Sequence, residues 1–133
     1  MKSPEYISGL DELNLILQSN INKTIMLMFT ASWCGPCKRL KEHLYLKDSD
    51  TDEESGICVE YQNNLLVLYI DVDDENNEEL CQLYDVSSMP TQTLIQMKLD
   101  EANNKLNIVK VDEIIGCDVI SLKMKLEKLI EKS

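Results

Sequence analysis

Apolar positions form two kinds of run along this chain. Ile25 to Phe29, within Thr24–Thr30, and Leu65 to Ile70 are short and continuous, the pattern of strands buried on both faces. Elsewhere the apolar residues recur at three and four positions. Leu10, Leu13 and Leu17, preceded by Ser8 with Asp11 three residues on, predict a side-chain-capped amphipathic helix of about three turns. Leu40 and Leu44, with charges opposite, predict a second helix starting at or near Cys34. Residues 78–84 carry acids in a short helix's first turn, and Leu122, Leu126, Leu129 and Ile130 mark a closing helix over 121–130. Residues 91–99 and 106–111 read as strands joined by a turn at 100–105, and Tyr6-Ile7 as a short extra strand. Residues 48–56 break every period and concentrate acid, so they read as a solvated, mobile loop.

The order β-α-β-α-β-α-β-β-α calls for parallel strands with right-handed crossovers, followed by an antiparallel hairpin. The expected architecture is α/β, a mixed sheet of four to five strands with helices on both faces. At 133 residues the chain reads as one domain, 1–133, carrying an acidic insertion at about 48–64.

Charge narrows the function classes. Thirteen Lys and Arg against 24 Asp and Glu give −11, which repels a phosphate backbone or an anionic membrane surface. Both continuous apolar runs fall far short of the roughly 20 residues that span a bilayer. Pro4 and Glu5 stand where a signal peptide needs its apolar core, and five cysteines are an odd count. A reduced, cytoplasmic location is the expectation.

The candidate chemistry lies in Trp33-Cys34-Gly35-Pro36-Cys37-Lys38. The spacing closes a small disulfide ring at a helix start, suited to reversible thiol–disulfide exchange. A helix beginning at Cys34 would stabilise its thiolate through free N–H groups and the helix dipole, making Cys34 the nucleophile and Cys37 the resolving thiol. Pro36 in the first turn sacrifices no needed hydrogen bond. Met89-Pro90-Thr91 opens a strand. A cis bond there would leave Met89 backbone groups free to pair with an extended substrate segment.

On these residues the chain resembles the thioredoxin family, from Tyr6 to Ile130. Trp33 to Lys38 match the family's active-site motif, Asp71-Val72-Asp73 the end of its third strand, Met89-Pro90-Thr91 its cis-proline turn, and Gly116 its small residue beside the site. The resemblance implies the thioredoxin fold and a protein-disulfide reductase. Cys34 and Cys37 would be catalytic, with Trp33, Gly35, Pro36, Met89, Pro90 and Gly116 in the substrate surface. It further implies no bound cofactor, a redox-active Cys34–Cys37 disulfide, and reducing equivalents from NADPH through a thioredoxin reductase. Disulfide-containing proteins are the implied partners and a monomer the implied state. Four departures stand out. Met28 occupies the place of the family's buried aspartate, Tyr69 that of its lysine, Glu42 that of a helix-kinking proline, and the segment at 48–64 is longer. Without that carboxylate, resolution by Cys37 is expected to be slow.

Rival readings are weaker. A zinc site lacks a second CxxC, and His43 lies six residues beyond Cys37 on a helix, where it reads as a surface residue. Asp48, Asp50 and Asp52 mimic the start of a calcium loop, but Glu53 replaces its glycine and Val59 stands at its twelfth position. Trp33 reads as docking surface, with plain packing as the alternative. Cys58 and Cys81 read as small buried or half-buried residues, and Cys117 as an inert thiol or, beside Gly116, a regulatory one. The main functional alternative is a slow or non-catalytic binding or scaffold module. A secretory oxidase or isomerase is disfavoured by the missing signal peptide and by Gly-Pro between the cysteines, which the resemblance associates with reducing potentials.

Overall fold

A computed structural model describes residues 3–133, so Met1 and Lys2, which enter the signal-peptide and domain readings, lie outside the described residues. The elements run β1 (Glu5–Ile7), α1 (Leu10–Gln18), β2 (Thr24–Thr30), α2 (Gly35–Leu44), β3 (Leu46–Lys47), β4 (Glu54–Ser55), α3 (Ile57–Glu60) and β5 (Leu65–Asp71). A 3₁₀ turn (Glu75–Asn77), α4 (Glu78–Leu83), β6 (Thr91–Asp100), β7 (Lys105–Ile115) and α5 (Val119–Leu129) complete the chain.

Five strands form one mixed sheet in the order β1-β5-β2-β6-β7, with the first three parallel and β6 and β7 antiparallel. β2 is central, and all seven of its residues are buried, as its unbroken apolar run requires. Alternation along β2 divides the interior. Ile25, Leu27 and Phe29 pack with Leu13 and Leu17 of α1 and Leu80 of α4. Met26 and Met28 pack on the other face with Cys37, Leu40 and Leu44 of α2, Ile57 and Cys58 of α3, and Leu122 and Leu126 of α5. Each large apolar side chain so buried contributes about 1.5–3 kcal/mol, which holds both helical layers against the sheet.

Three expectations need correction. Ser8 does not cap α1: the N-cap is Gly9 at φ 93°, with no side-chain hydrogen bond. The Ser8 hydroxyl instead donates to Asp74 at 2.8 Å, and buried Asn77 accepts the Gly9 N–H at 2.8 Å while donating to the Asp71 carbonyl. The turn after β5 competes for the serine and ties β1 to β5. Second, residues 48–56 are a loop only in part: 48–53 form the exposed turn of a short hairpin, and Glu54 and Ser55 are strand. Leu46 pairs with Ser55 and Lys47 with Glu54 in an antiparallel hairpin, and Tyr45 donates its hydroxyl to Glu54. Asp48 accepts the backbone N–H groups of Asp50 and Thr51, which hold its carboxyl below the usual range. The hairpin returns the chain to α2: a Cβ on Gly56 would lie 2.6 Å from the Leu44 carbonyl oxygen. At φ 110° only glycine fits there comfortably, and α3 then buries Ile57, Cys58 and Tyr61 beneath the sheet. Third, β7 continues to Ile115 rather than ending at 111, because a bulge opposite Leu94/Ile95 resets its register and lets Asp112 reach Lys125 of α5 at 2.7 Å.

Candidate functional site

β2 ends at Thr30 and delivers the chain to the two cysteines. Cys34 is the N-cap of α2 with extended backbone, and its sulfur accepts the Cys37 N–H at 3.2 Å. The atom meant to carry negative charge thus already faces a free helix-terminal donor, which favours a thiolate there. Pro36 lies inside the first turn, where its missing N–H costs nothing. Cys34 and Cys37 are joined in a disulfide with their Cα atoms 5.3 Å apart. Cys34 is 4% exposed and Cys37 fully buried, so only the first sulfur approaches the surface.

Around the pair the structure places each predicted site residue. Trp33 stands 67% exposed, and its indole N–H donates to Asp73 Oδ2 at 2.8 Å. Gly35 and Pro36 are exposed at the start of α2. Phe29 pairs with Thr91, which sets Pro90 beside the end of β2 and therefore beside the motif. The Met89–Pro90 peptide is cis, and the Thr91 hydroxyl donates to the Ser88 carbonyl at 2.7 Å. Among the described residues nothing pairs with the Met89 N–H or C=O. Gly116, at φ 90°, donates its N–H to the Pro90 carbonyl at 2.8 Å and accepts the Gln92 amide at 3.3 Å. Its missing side chain faces open space.

Behind the disulfide the interior is uncharged. Met28 is fully buried, flanked in register by Tyr69 of β5 and Gln92 of β6. Burial, with smaller contributions from Cys58 and Tyr6, pushes the Tyr69 phenol far above its ordinary value. Lys41 lies against this group: its Nζ is 5.1 Å from the ring centroids of Tyr6 and Tyr69 and donates to the Tyr6 hydroxyl at 2.6 Å.

The remaining candidates are dispersed. Cys58 is buried and its thiol is pushed up to about 12; Cys81 is half-buried and raised by burial and by Glu78. Cys117 is half-buried beside Gly116, and His43 is exposed on α2. Among the described residues no three His, Cys, Asp or Glu side chains come together to hold a metal. Nor is any helix long and apolar enough to cross a membrane. Sequence reasoning missed the contacts of Asp73 with Trp33, of Lys41 with the Tyr69 ring and of Gln92 with the Gly116 carbonyl. The Asp71-Val72-Asp73 run marked the first place without its partner, whereas Gln92 within an otherwise apolar stretch was an available signal.

The Thioredoxin family profile matches residues 11–116. The chain belongs to the thioredoxin family. It is 33% identical over 122 residues to Thioredoxin-T of Drosophila melanogaster, a match covering 92% of this chain and 61% of that protein. With thioredoxin of Coprinus comatus it shares 31% over 129 residues, 97% of this chain and 96% of that one. The structure of the germline-specific thioredoxin Deadhead of Drosophila melanogaster superposes with a TM-score of 0.66 at 27% identity, covering 94% and 98% of the two chains. That of Trichomonas vaginalis thioredoxin does so with 0.68 at 26%, covering 98% and 100%. Family membership and the bonded cysteine pair together support thiol–disulfide exchange.

Proposed function

We propose that this chain is a thioredoxin-type protein-disulfide reductase. The observation that carries the reading is Cys34 as a helix N-cap, its sulfur accepting the Cys37 N–H, with exposed Trp33 on one side and the cis Met89–Pro90 turn set by strand pairing beside the end of β2. In the dithiol state the Cys34 thiolate attacks one sulfur of a substrate disulfide. That S–S bond breaks, the other substrate sulfur leaves as a thiolate, and a mixed disulfide forms. Cys37, one turn further along α2, loses its proton and attacks the Cys34 sulfur, which expels the second substrate thiolate. The substrate has gained two electrons and the Cys34–Cys37 disulfide is restored. The unpaired Met89 backbone and the open face at Gly116 suit an extended substrate segment pairing with the turn just ahead of β6.

Reducing equivalents would come from NADPH through a thioredoxin reductase, with the chain itself holding no cofactor and working as a cytoplasmic monomer. The net charge of −11 favours basic or neutral protein substrates. The test is reduction of insulin disulfides by dithiothreitol with and without the protein, beside Cys34→Ser. Strong acceleration that disappears in the variant supports the reductase. Absence of acceleration favours a binding module, a reading the uncharged layer around Met28 and Tyr69 keeps in view.

A further inference from the structure

Two polar side chains on the cysteine face of the sheet have unused hydrogen-bonding atoms. Thr30 Oγ1 and Gln92 Oε1 find no partner among the described residues, and both residues are buried, Thr30 at 1% exposed and Gln92 not exposed at all. A buried oxygen left unpaired costs about 1–3 kcal/mol, so native interiors supply a partner, commonly an internal water. The two residues are diagonal neighbours by register. Met28 pairs with Gln92 and Phe29 with Thr91, so Thr30 and Gln92 lie diagonally across β2 and β6, on the face that Met28 shares with Cys37. The Gln92 amide orientation is determined, because only Nε2 can donate to the Gly116 carbonyl, leaving Oε1 as the unused end.

We propose that Thr30 and Gln92 hold one water behind the Cys34–Cys37 pair, and that this water serves the resolving thiol where the family's buried carboxylate is replaced by Met28. The Thr30 hydroxyl donates to the water, which donates one hydrogen to Gln92 Oε1 and the other to the Cys37 sulfur. Three partners are the usual complement of an internal water. Donation to sulfur favours the Cys37 thiolate, and the thiol proton leaves through the same water to bulk solvent. No charge beyond the transient Cys37 thiolate has to be buried, which agrees with a site that lacks the lysine to balance a carboxylate. Thr30 and Gln92 are positioning residues here, since they act through the water.

Other titrating groups near this face do not substitute for it. Tyr69 of β5, Cys58 of α3 and Tyr61 just after α3 are all raised by burial and stay neutral near neutral pH. α2 contributes Lys41 over the Tyr69 ring, and β7 and α5 contribute Asp112 and Lys125, already bonded to each other. At the motif, Asp73 is exposed and occupied by Trp33.

This inference rests on the two-step exchange proposed above but can be tested apart from its physiological direction. A nitrobenzoate aromatic disulfide added to the dithiol protein, in a Cys81→Ser, Cys117→Ser background, releases one coloured thiolate at each step. Cys34 attack gives the first and Cys37 attack the second. Stopped-flow measurement across pH is made on the parent, Gln92→Leu, Thr30→Val and Thr30→Ser. In Gln92→Leu and Thr30→Val the second release should slow about tenfold at neutral pH and its midpoint rise by about one pH unit. The first release should keep its rate and midpoint, and Thr30→Ser, which retains the hydroxyl, should behave as the parent. A purely structural role would slow both releases together. That result, or a second-release midpoint unchanged in the folded Thr30→Val variant, overturns the proposal. If the parent fails to reduce insulin but shows the selective shift, the reductase reading falls and the water site stands. Insulin reduction without the shift has the opposite meaning.

Discussion

Met28→Asp puts a carboxyl where this chain has thioether, and both its cost and its benefit can be worked out. Met28 is fully buried between Tyr69 and Gln92, so truncating it removes a complete core side chain, about 2–5 kcal/mol including the cavity left behind. The new carboxyl has no lysine in register; Lys41 is engaged over the Tyr6 and Tyr69 rings. Desolvation therefore raises its folded pKa above the unfolded value of about 3.9. Since the folded value is the higher one, the ionisation penalty is absent below about pH 4 and grows by about 1.4 kcal/mol per pH unit until the folded pKa is passed, then levels off. Urea unfolding at about pH 5 and about pH 8 should show the gap between variant and parent widening with pH. Near neutrality the same carboxylate becomes a general base for Cys37, and the second thiolate release should quicken by about tenfold or more. A stability gap that stays constant or narrows as pH rises would refute the desolvated position assigned to Met28. An unchanged second release would refute proton removal as the limiting event.

Gly56→Ala forces a Cβ to 2.6 Å from the Leu44 carbonyl oxygen at φ 110°, and should lower stability by about 2–4 kcal/mol with an unchanged denaturant slope. A parent-like midpoint would mean the hairpin does not press α3 against the end of α2. Lys125→Met removes the hydrogen bond that chiefly holds the Asp112 carboxyl below its ordinary range. A lowered folded pKa stabilises above the unfolded value of about 3.9 and loses that effect as pH falls through the folded value. Because both side chains are about a third exposed, the loss should be under about 1 kcal/mol at neutral pH and vanish in strong acid, as thermal unfolding against pH would register. Native alkylation near pH 8 should leave Cys58 unmodified until the protein unfolds, since its thiol is buried and pushed up to about 12; labelling as fast as at Cys117 would contradict its place beneath the sheet.

Local patterns in the sequence were sufficient for much of this protein. The unbroken apolar runs of β2 and β5 announced central strands because a strand covered on both faces needs no polar positions. The cysteine spacing with Pro36 announced a helix start because only the first turn tolerates that residue. Met89, Pro90 and Gly116 were legible through a family pattern, which places far-separated residues together without a physical derivation from the chain itself.

What needed tertiary structure was every feature set by competition or by pairing across strands. Ser8 looked like a cap, but Asp74, 66 positions away, took its hydroxyl. Residues 48–56 looked unstructured because their hairpin is held by backbone bonds and by a glycine fitted against another helix's carbonyl, neither of which leaves a hydrophobic period. Trp33 gave no sign of its bond to Asp73, nor Thr30 of its diagonal placement with Gln92, since both depend on the register of strands that meet only in the folded sheet. The dithiol could thus be read from the six residues Trp33 to Lys38. The polarity of the space behind it was decided by which side chains the sheet set next to Met28.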